Sequence, residues 1–233
     1  MRYQGGKTRI AKHILPIMLR ERFDEQWWVE PFVGGGGMIS QVEGNRIGAD
    51  INPWTIQALT VIRDRAQYLP ANNREFTESD YANLWNSDEC WFKGFAGFAY
   101  SFGGKWRGGW SRDQRGNDYV ARAYRAALKQ SPTLAGVNLY HHSYSSLYDA
   151  ACIPEESIIY CDPPYQGTTG YNGSPFNHEQ FWQWCRRMSS IGHRVFISEY
   201  TAPEDFSCIW EGHLVSNLRR ATDTKTTEKL FTL

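Results

Sequence analysis

Trp27-Trp28-Val29-Glu30-Pro31-Phe32-Val33-Gly34-Gly35-Gly36-Gly37-Met38-Ile39 is the stretch on which the fold turns. An apolar run stops at a proline, glycines follow, and Met38-Ile39 opens a helical pattern, so the unit reads strand, glycine loop, helix. Just downstream, Arg46-Ile47-Gly48-Ala49-Asp50 reads as a second strand ending in a carboxylate. Asn52-Pro53 then starts a helix through Ile56, Leu59 and Ile62, proline being suited to a first helical position. These units form a βαβ crossover. Upstream, Arg9 to Leu19 places Ile10, Ile14, Leu15, Ile17 and Met18 at helical spacing behind a Gly5-Gly6 turn. Toward the C-terminus, strands are expected at Ser157–Cys161, Arg194–Ser198 and Glu228–Thr232, with a helix from Phe181 to Met188. Strands alternating with helices predict an α/β, doubly wound sheet with ligands at the carboxyl ends of its strands.

The chain has 233 residues, 41% of them hydrophobic and 21% charged, which is one globular domain, or one with a sizeable insertion. Lys+Arg and Asp+Glu are 25 each, so the overall charge announces no nucleic-acid or membrane partner. No apolar run approaches a membrane span and no secretory signal is visible. The cysteines Cys90, Cys152, Cys161, Cys185 and Cys208 show neither zinc spacing nor a disulfide framework. A cytoplasmic, metal-free protein is expected.

Between Asp64 and Thr133 strand periodicity disappears, and Trp85, Trp91, Phe92, Phe95, Phe98, Tyr100, Phe102, Trp106 and Trp110 crowd a segment with glycine and arginine. We read residues 64–133 as an insertion and residues 1–63 with 134–233 as the core. From Lys93 to Lys129 eight basic residues face two acids, a local excess of +6 inside a neutral chain. That excess gives long-range attraction to phosphates. Phe102-Gly103-Gly104-Lys105-Trp106-Arg107-Gly108-Gly109-Trp110 suits a loop or hairpin at a nucleic-acid groove; Lys105, Trp106, Arg107, Arg112 and Arg115 are the candidate contacts. Trp85, Trp91, Phe92, Phe95 and Phe98, spaced roughly helically, are expected to fill a small satellite core. Arg219, Arg220 and Lys225 form a second basic loop, either more phosphate contacts or a solvated face.

Glycines after the first strand let a backbone approach a ligand while a helix N-terminus points at it. Asp50, at the tip of the next strand, can accept hydrogen bonds from ribose hydroxyls, so a nucleoside-containing cofactor is indicated. Gly6-Lys7-Thr8 is no P-loop, since the first glycine of that motif would fall at Met1 and no strand precedes it. The glycine run is badly spaced for the G-x-G-x-x-G fingerprint of NAD sites. In Ile158-Ile159-Tyr160-Cys161-Asp162-Pro163-Pro164-Tyr165, two prolines cannot continue the strand and fix a stiff turn. The Asp162 carboxylate, the Pro163 carbonyl and the Tyr165 ring are then expected at the sheet's edge. That set suits an exocyclic amine on a planar base. Two acceptors would localise its lone pair for an electrophilic methyl while the phenol stacks on the ring.

Four stretches in order, Tyr3-Gln4-Gly5-Gly6-Lys7, Val29-Glu30-Pro31-Phe32-Val33-Gly34-Gly35-Gly36, Ala49-Asp50-Ile51-Asn52 and Ile159-Tyr160-Cys161-Asp162-Pro163-Pro164-Tyr165, resemble the Dam-type, alpha-group DNA adenine-N6 methyltransferases, especially short phage-borne members. The resemblance implies a Rossmann-like methyltransferase core with an inserted, mainly helical DNA-recognition subdomain, and S-adenosyl-L-methionine as cofactor. It also implies that Tyr3 and Lys7 line the methionine end; that Glu30, Pro31, Phe32, Gly34, Gly35 and Gly36 cradle the cofactor; that Asp50 holds the ribose, with Gly6, Asn52 and Asp162 also among the cofactor-binding residues; and that Asp162, Pro163, Pro164 and Tyr165 are catalytic. One departure stands out. Where many relatives carry an acid after the third strand for the cofactor's adenine amine, this chain has Leu139-Tyr140-His141-His142-Ser143-Tyr144, and Ser143 or a backbone group would substitute. His141 and His142, adjacent on a strand, point to opposite faces and do not make a metal pair.

The expected partner is double-stranded DNA, with an adenine rotated out of the stack, no metal, no membrane, and a monomer with a dimer as alternative. Rival readings are a methyltransferase of cytosine N4, an RNA guanine or a protein glutamine, whose turns tend to begin with Ser or Asn rather than Asp, and a non-catalytic DNA-binding relative.

Overall fold

The structure, a computed structural model, describes residues 1–86, 90–151, 153–167, 176–214 and 226–233. Arg219, Arg220, Lys225 and Cys152 lie outside the described residues. Seven strands form one sheet: β1 (Trp28–Glu30), β2 (Arg46–Asp50), β3 (Val137–His141), β4 (Ile158–Cys161), β5 (Arg194–Glu199), β6 (Ser207–Leu214) and β7 (Thr226–Thr232), in the order β3-β2-β1-β4-β5-β7-β6. The first five are parallel, while β7 lies antiparallel between β5 and β6. Order therefore reverses between β1 and β4. There Glu30-Pro31 and Asp162-Pro163 leave adjacent strands at the same edge, the crevice in which open α/β sheets bind ligands.

Strand residues alternate between two cores. Trp28, Ile158, Tyr160, Phe196 and Leu230 face one cluster, and Val29, Ile159, Cys161, Val195, Ile197 and Phe231 the other, as the two-residue repeat of a pleated strand requires. The first side is covered by α1 (Thr8–Met18), α2 (Pro53–Arg65), α4 (Lys93–Ala99) and α5 (Tyr119–Gln130), the second by α6 (Tyr144–Ala151) and α7 (His178–Ser190); α3 (Glu78–Asn83) joins α2 to α4. The Asn52 side chain accepts from the Trp54 N–H at 3.0 Å and caps α2 with Pro53 at its first turn.

Two expectations are corrected. The helix at Met38-Ile39 is only a single 3₁₀ turn, Ile39–Gln41, because the eight residues from Met38 to Asn45 must also return the chain to the start of β2. Nor do Trp85, Trp91, Phe92, Phe95 and Phe98 make a satellite core: Phe95 and Phe98 belong to the same buried cluster as Ile10, Trp28 and Leu59, and Trp85, Trp91 and Phe92 pack against that cluster. Gly94 permits this, since a Cβ there would lie 2.4 Å from the Trp54 carbonyl oxygen on α2.

Candidate active site

A cavity of about 270 Å³ opens at the switch between β1 and β4. Its lining brings together Tyr3, Gly6, Lys7, Glu30, Pro31, Phe32, Gly34, Gly35, Asp50, Asn52, Ser143, Asp162 and Pro164, which the sequence scatters over 160 positions. Gly37, Ile51, Tyr144, Tyr160 and Phe176 line it as well. Sequence reading missed Tyr144 and Phe176, which pack on Phe32 at 5.5 and 5.9 Å between ring centroids. Phe176 lies in a polar connection where no periodicity announces it.

The glycine loop is held from three sides. Gly34 donates its N–H to Asp50 Oδ2 at 3.1 Å, and the other Asp50 oxygen accepts from the Asn52 N–H at 2.9 Å. Gln130, the last residue of α5, donates to the Gly35 carbonyl at 2.9 Å. Glycine is required at Gly35, because a Cβ would lie 2.6 Å from the Tyr3 Cβ. Gly36 takes φ +70 and its Cβ direction meets Gln130 and Leu59. It shapes the loop and is absent from the lining, where Gly37 stands instead.

Five carboxyls, those of Glu30, Asp50, Asp162, Glu199 and Glu228, surround the edge. Glu30 is 2% exposed, with Oε1 accepting from the Trp28 indole N–H at 2.7 Å. Burial pushes it up to about 8, with Asp162 adding to the rise and the Trp28 bond opposing it. Burial raises Asp50 to about 6 against the pull of its two backbone donors. Asp162 also rises to about 6 through burial, opposed by Lys7 and reinforced by Glu228. Glu199, at the end of β5, rises to about 7 through burial, opposed by the N–H groups of Tyr200 and Gln166. Among them, the Lys7 ammonium lies 3.3 Å from Asp162 Oδ1 and 3.5 Å from Glu228 Oε2. Lys7 is thus a nearly buried partner of the central acid.

Tyr165, expected as a stacking platform, is packed into protein. Its hydroxyl donates to Glu228 Oε2 at 2.6 Å, Lys7 Nζ sits 4.4 Å from its ring centroid, and Tyr200 meets it edge-on at 4.6 Å. The phenol does not line the cavity. Pro163 is buried and, like Tyr165, is not part of the cavity lining. Glu199 and Glu228 escaped sequence reading; the available signal was a carboxylate at a buried position of a strand, Glu228 sharing the parity of buried Leu230.

Residues Phe102 to Gly109 form a loop closed by the Phe102 N–H on the Gly109 carbonyl, 2.8 Å, beside a Ser101–Trp110 bridge. It abuts the cavity mouth, where the Gln4 N–H donates to the Gly104 carbonyl at 3.2 Å. Lys105, Arg107, Arg112 and Arg115 are exposed; Arg107 lies over Trp85 at 4.5 Å and Arg112 pairs with Glu78 at 2.9 Å. Trp106 instead packs inward, stacked on Trp54 at 5.3 Å and fitted against Gly97, which has no Cβ to clash with it. His141 Nε2 hydrogen-bonds the Ile51 carbonyl at 3.0 Å.

The residues present fit a nucleoside with a cationic amino-acid arm. A glycine cradle, a carboxylate at the ribose position and a buried acid with one oxygen left for an ammonium share one cavity. Among solved structures, the rRNA methyltransferase aviRa from Streptomyces viridochromogenes shares the fold at TM-score 0.52 and 10% identity, over 99% of this chain and 86% of that one. The likeness is one of fold: a mixed seven-stranded α/β sheet with helices on both faces.

Residues 3–90 match the family model of D12 class N6 adenine-specific DNA methyltransferases. The "DNA adenine methylase" of Vibrio cholerae serotype O1 is 25% identical over 212 residues, 76% of this chain and 70% of that protein. The "Type II methyltransferase M.FokI" of Planomicrobium okeanokoites is 25% identical over 197 residues, 74% of this chain but only 30% of that protein's length. The family match ends before Asp162, so the second half of the site rests on geometry. No helix among the described residues is long and apolar enough to cross a membrane.

Proposed function

We propose that this chain transfers a methyl group from S-adenosylmethionine to the N6 amine of an adenine rotated out of duplex DNA, in the manner of the short phage-borne enzymes it resembles. One observation carries the reading: Asp162 opens into the same cavity as the glycine loop, Glu30 and Asp50, so an acceptor for an amine adjoins a nucleoside cradle.

Glu30 and the loop to Gly35 would hold the cofactor's methionine end with Tyr3 and Lys7, and Asp50 with Asn52 its ribose. Ser143 stands where its adenine would reach. When bound, S-adenosylmethionine supplies an electrophilic methyl carbon. The chain's own work is to make the amine nucleophilic. The Asp162 carboxylate and the Pro163 carbonyl accept the two N6 hydrogens, which localises the nitrogen lone pair, and Asp162 takes the surplus proton as the new bond forms. Pro164 fixes the turn, and Tyr165 acts from behind it through its contacts with Lys7 and Glu228. Residues 64–133 act as the target-recognition part. Lys105, Arg107, Arg112 and Arg115 engage phosphates beside the mouth, and Trp106 supports their loop by packing. The unit acts as a monomer.

Mass spectrometry of nucleosides from DNA and RNA incubated with S-adenosylmethionine tests the reading. N6-methyladenine in DNA is expected. N4-methylcytosine, a methylated RNA base, or no transfer at all would reject it.

A further inference from the structure

Glu228, on the last strand, has no part in the reaction as derived so far, and it is the acid through which Tyr165 and Lys7 meet. Its carboxylate is buried, 8% exposed, on a strand that otherwise packs Leu230 and Phe231 into the two cores. Oε2 accepts the Tyr165 hydroxyl at 2.6 Å and lies 3.5 Å from Lys7 Nζ. Lys7 Nζ is in turn 3.3 Å from Asp162 Oδ1 and stands over the Tyr165 ring. Four side chains from the head of α1, the turn after β4 and β7 thus close a ring of contacts behind Asp162. A buried charge without a partner is costly, so Lys7 stays between two carboxylates. Losing either one lets the ammonium settle wholly on the other.

We propose that Glu228 is a positioning residue for methyl transfer. By gripping the Tyr165 hydroxyl and sharing Lys7 with Asp162, it fixes the ammonium's place and keeps part of the Asp162 carboxylate free for the target amine. The inference rests on the adenine reading above. With Glu228 removed, Lys7 occupies Asp162 more fully and the turn loses its anchor on Tyr165. The chemical step should then slow, with cofactor and DNA still bound, as expected for an interaction realised only at the reacting centre.

The test compares the intact chain with Glu228→Ala, Glu228→Gln and Tyr165→Phe, measuring single-turnover methyl transfer to DNA, cofactor and DNA affinities, and the pH profile of the rate. Glu228→Ala and Tyr165→Phe should each lose about tenfold or more in rate, the scale set by small misplacements of reacting groups, with both affinities within about threefold. Glu228→Gln keeps an acceptor for the phenol and should recover part of that loss. The groups facing Asp162 are Lys7 from α1, Glu30 from β1, Tyr160, Cys161 and Tyr165 from its own segment, Glu199 from β5 and Glu228 from β7. Glu228 shares Lys7 with Asp162 in this ring, and Lys7 also acts on Glu199. Removing the Glu228 charge withdraws a raising influence on Asp162 and leaves Lys7 to lower it, so both glutamate variants should move the acidic limb to lower pH. A merely structural role would leave that limb in place. Wild-type rates and an unmoved limb in Glu228→Gln would overturn the proposal, as would a loss confined to DNA affinity. An unaltered rate in Tyr165→Phe would do the same. If Glu228→Ala fails to fold, the near-isosteric Gln and Phe variants still decide. An intact chain that methylates no DNA would overturn the adenine reading and this role together, whereas an active chain with unaffected variants overturns this role alone.

Discussion

At the residue scale, the carboxyls of the cleft set how activity and stability depend on pH. On the proposed mechanism Asp162 has to be ionised to accept the amine's hydrogens, and burial raises it to about 6. The single-turnover rate should therefore fall about tenfold per unit as pH drops below that value, and Asp162→Ala should abolish transfer while leaving cofactor affinity partly intact. A pH series at saturating DNA and cofactor checks both; a rate level down to pH 5 speaks against Asp162 as acceptor. Glu30 titrates at about 8 in the folded chain, above its unfolded value, so between the two the folded state binds the extra proton and stability falls as pH rises. Glu30→Gln retains the acceptor for Trp28 and removes the penalty. It should leave stability unchanged near pH 4, and the gain should grow through neutrality to a plateau above pH 8 on the order of 5 kcal/mol. Urea unfolding at pH 4, 6 and 8.5 measures it, and a gain that does not grow with pH refutes the assignment. Both effects begin with a charge withdrawn from water, at positions where sequence shows only an acid beside a proline.

At the scale of elements, the glycine loop is clamped by parts far apart in the chain, and its affinity for the cofactor should depend on the most distant clamp. Gln130 reaches the Gly35 carbonyl from the end of α5, and also bonds Ser40 Oγ at 3.2 Å. Gln130→Ala should weaken cofactor binding several-fold, about 1 kcal/mol for a lost hydrogen bond, while the fold persists. Isothermal titration reads this, and an unchanged dissociation constant rejects the clamp. Such a contact was not legible beforehand. Strands β1, β2, β4 and β5 announce themselves because fully buried parallel strands are continuous apolar runs, and Asn52-Pro53 marks the start of α2 by capping chemistry. The four motif stretches likewise carry most of the cavity lining. Gln130 carries no pattern, and β6 is an edge strand with a register shift between Cys208 and Trp210, so no clean alternation marks it. Tyr165 illustrates a different limit: the prolines fix where the turn lies, but the direction of the phenol is decided by Glu228, which lies 63 residues away.

For the whole molecule, the proposed DNA substrate asks how a chain of zero net charge would hold a polyanion. The basic excess of residues 93–129 is not spread evenly in space: Lys93 is buried at 5% exposure, while Lys105, Arg107, Arg112 and Arg115 stand exposed on the loop at the cavity mouth and the segment after it. Glu78 pairs with Arg112 and Asp113 accepts from the Arg115 N–H on the same segment; other acids of the chain balance the sum. Beyond a Debye length of about 8 Å at physiological salt, those acids are screened from a bound duplex. Affinity should therefore behave as that of a small basic patch, falling linearly in log–log salt titrations with a slope near −0.9 for each phosphate engaged. Arg107→Ala combined with Arg115→Ala should flatten the slope by about 2 and lower DNA affinity with cofactor binding unchanged. Arg112 is a weaker test, since its pairing with Glu78 at 2.9 Å must be broken before it meets a phosphate, and Arg112→Ala alone should change the slope by less than one. Fluorescence anisotropy on one duplex between about 50 and 200 mM salt measures all three. A slope unaltered in the double variant would move the DNA to another face. The packing of α4 onto α2 would then belong to the fold alone, because it is this shared core that holds the basic loop over the cleft.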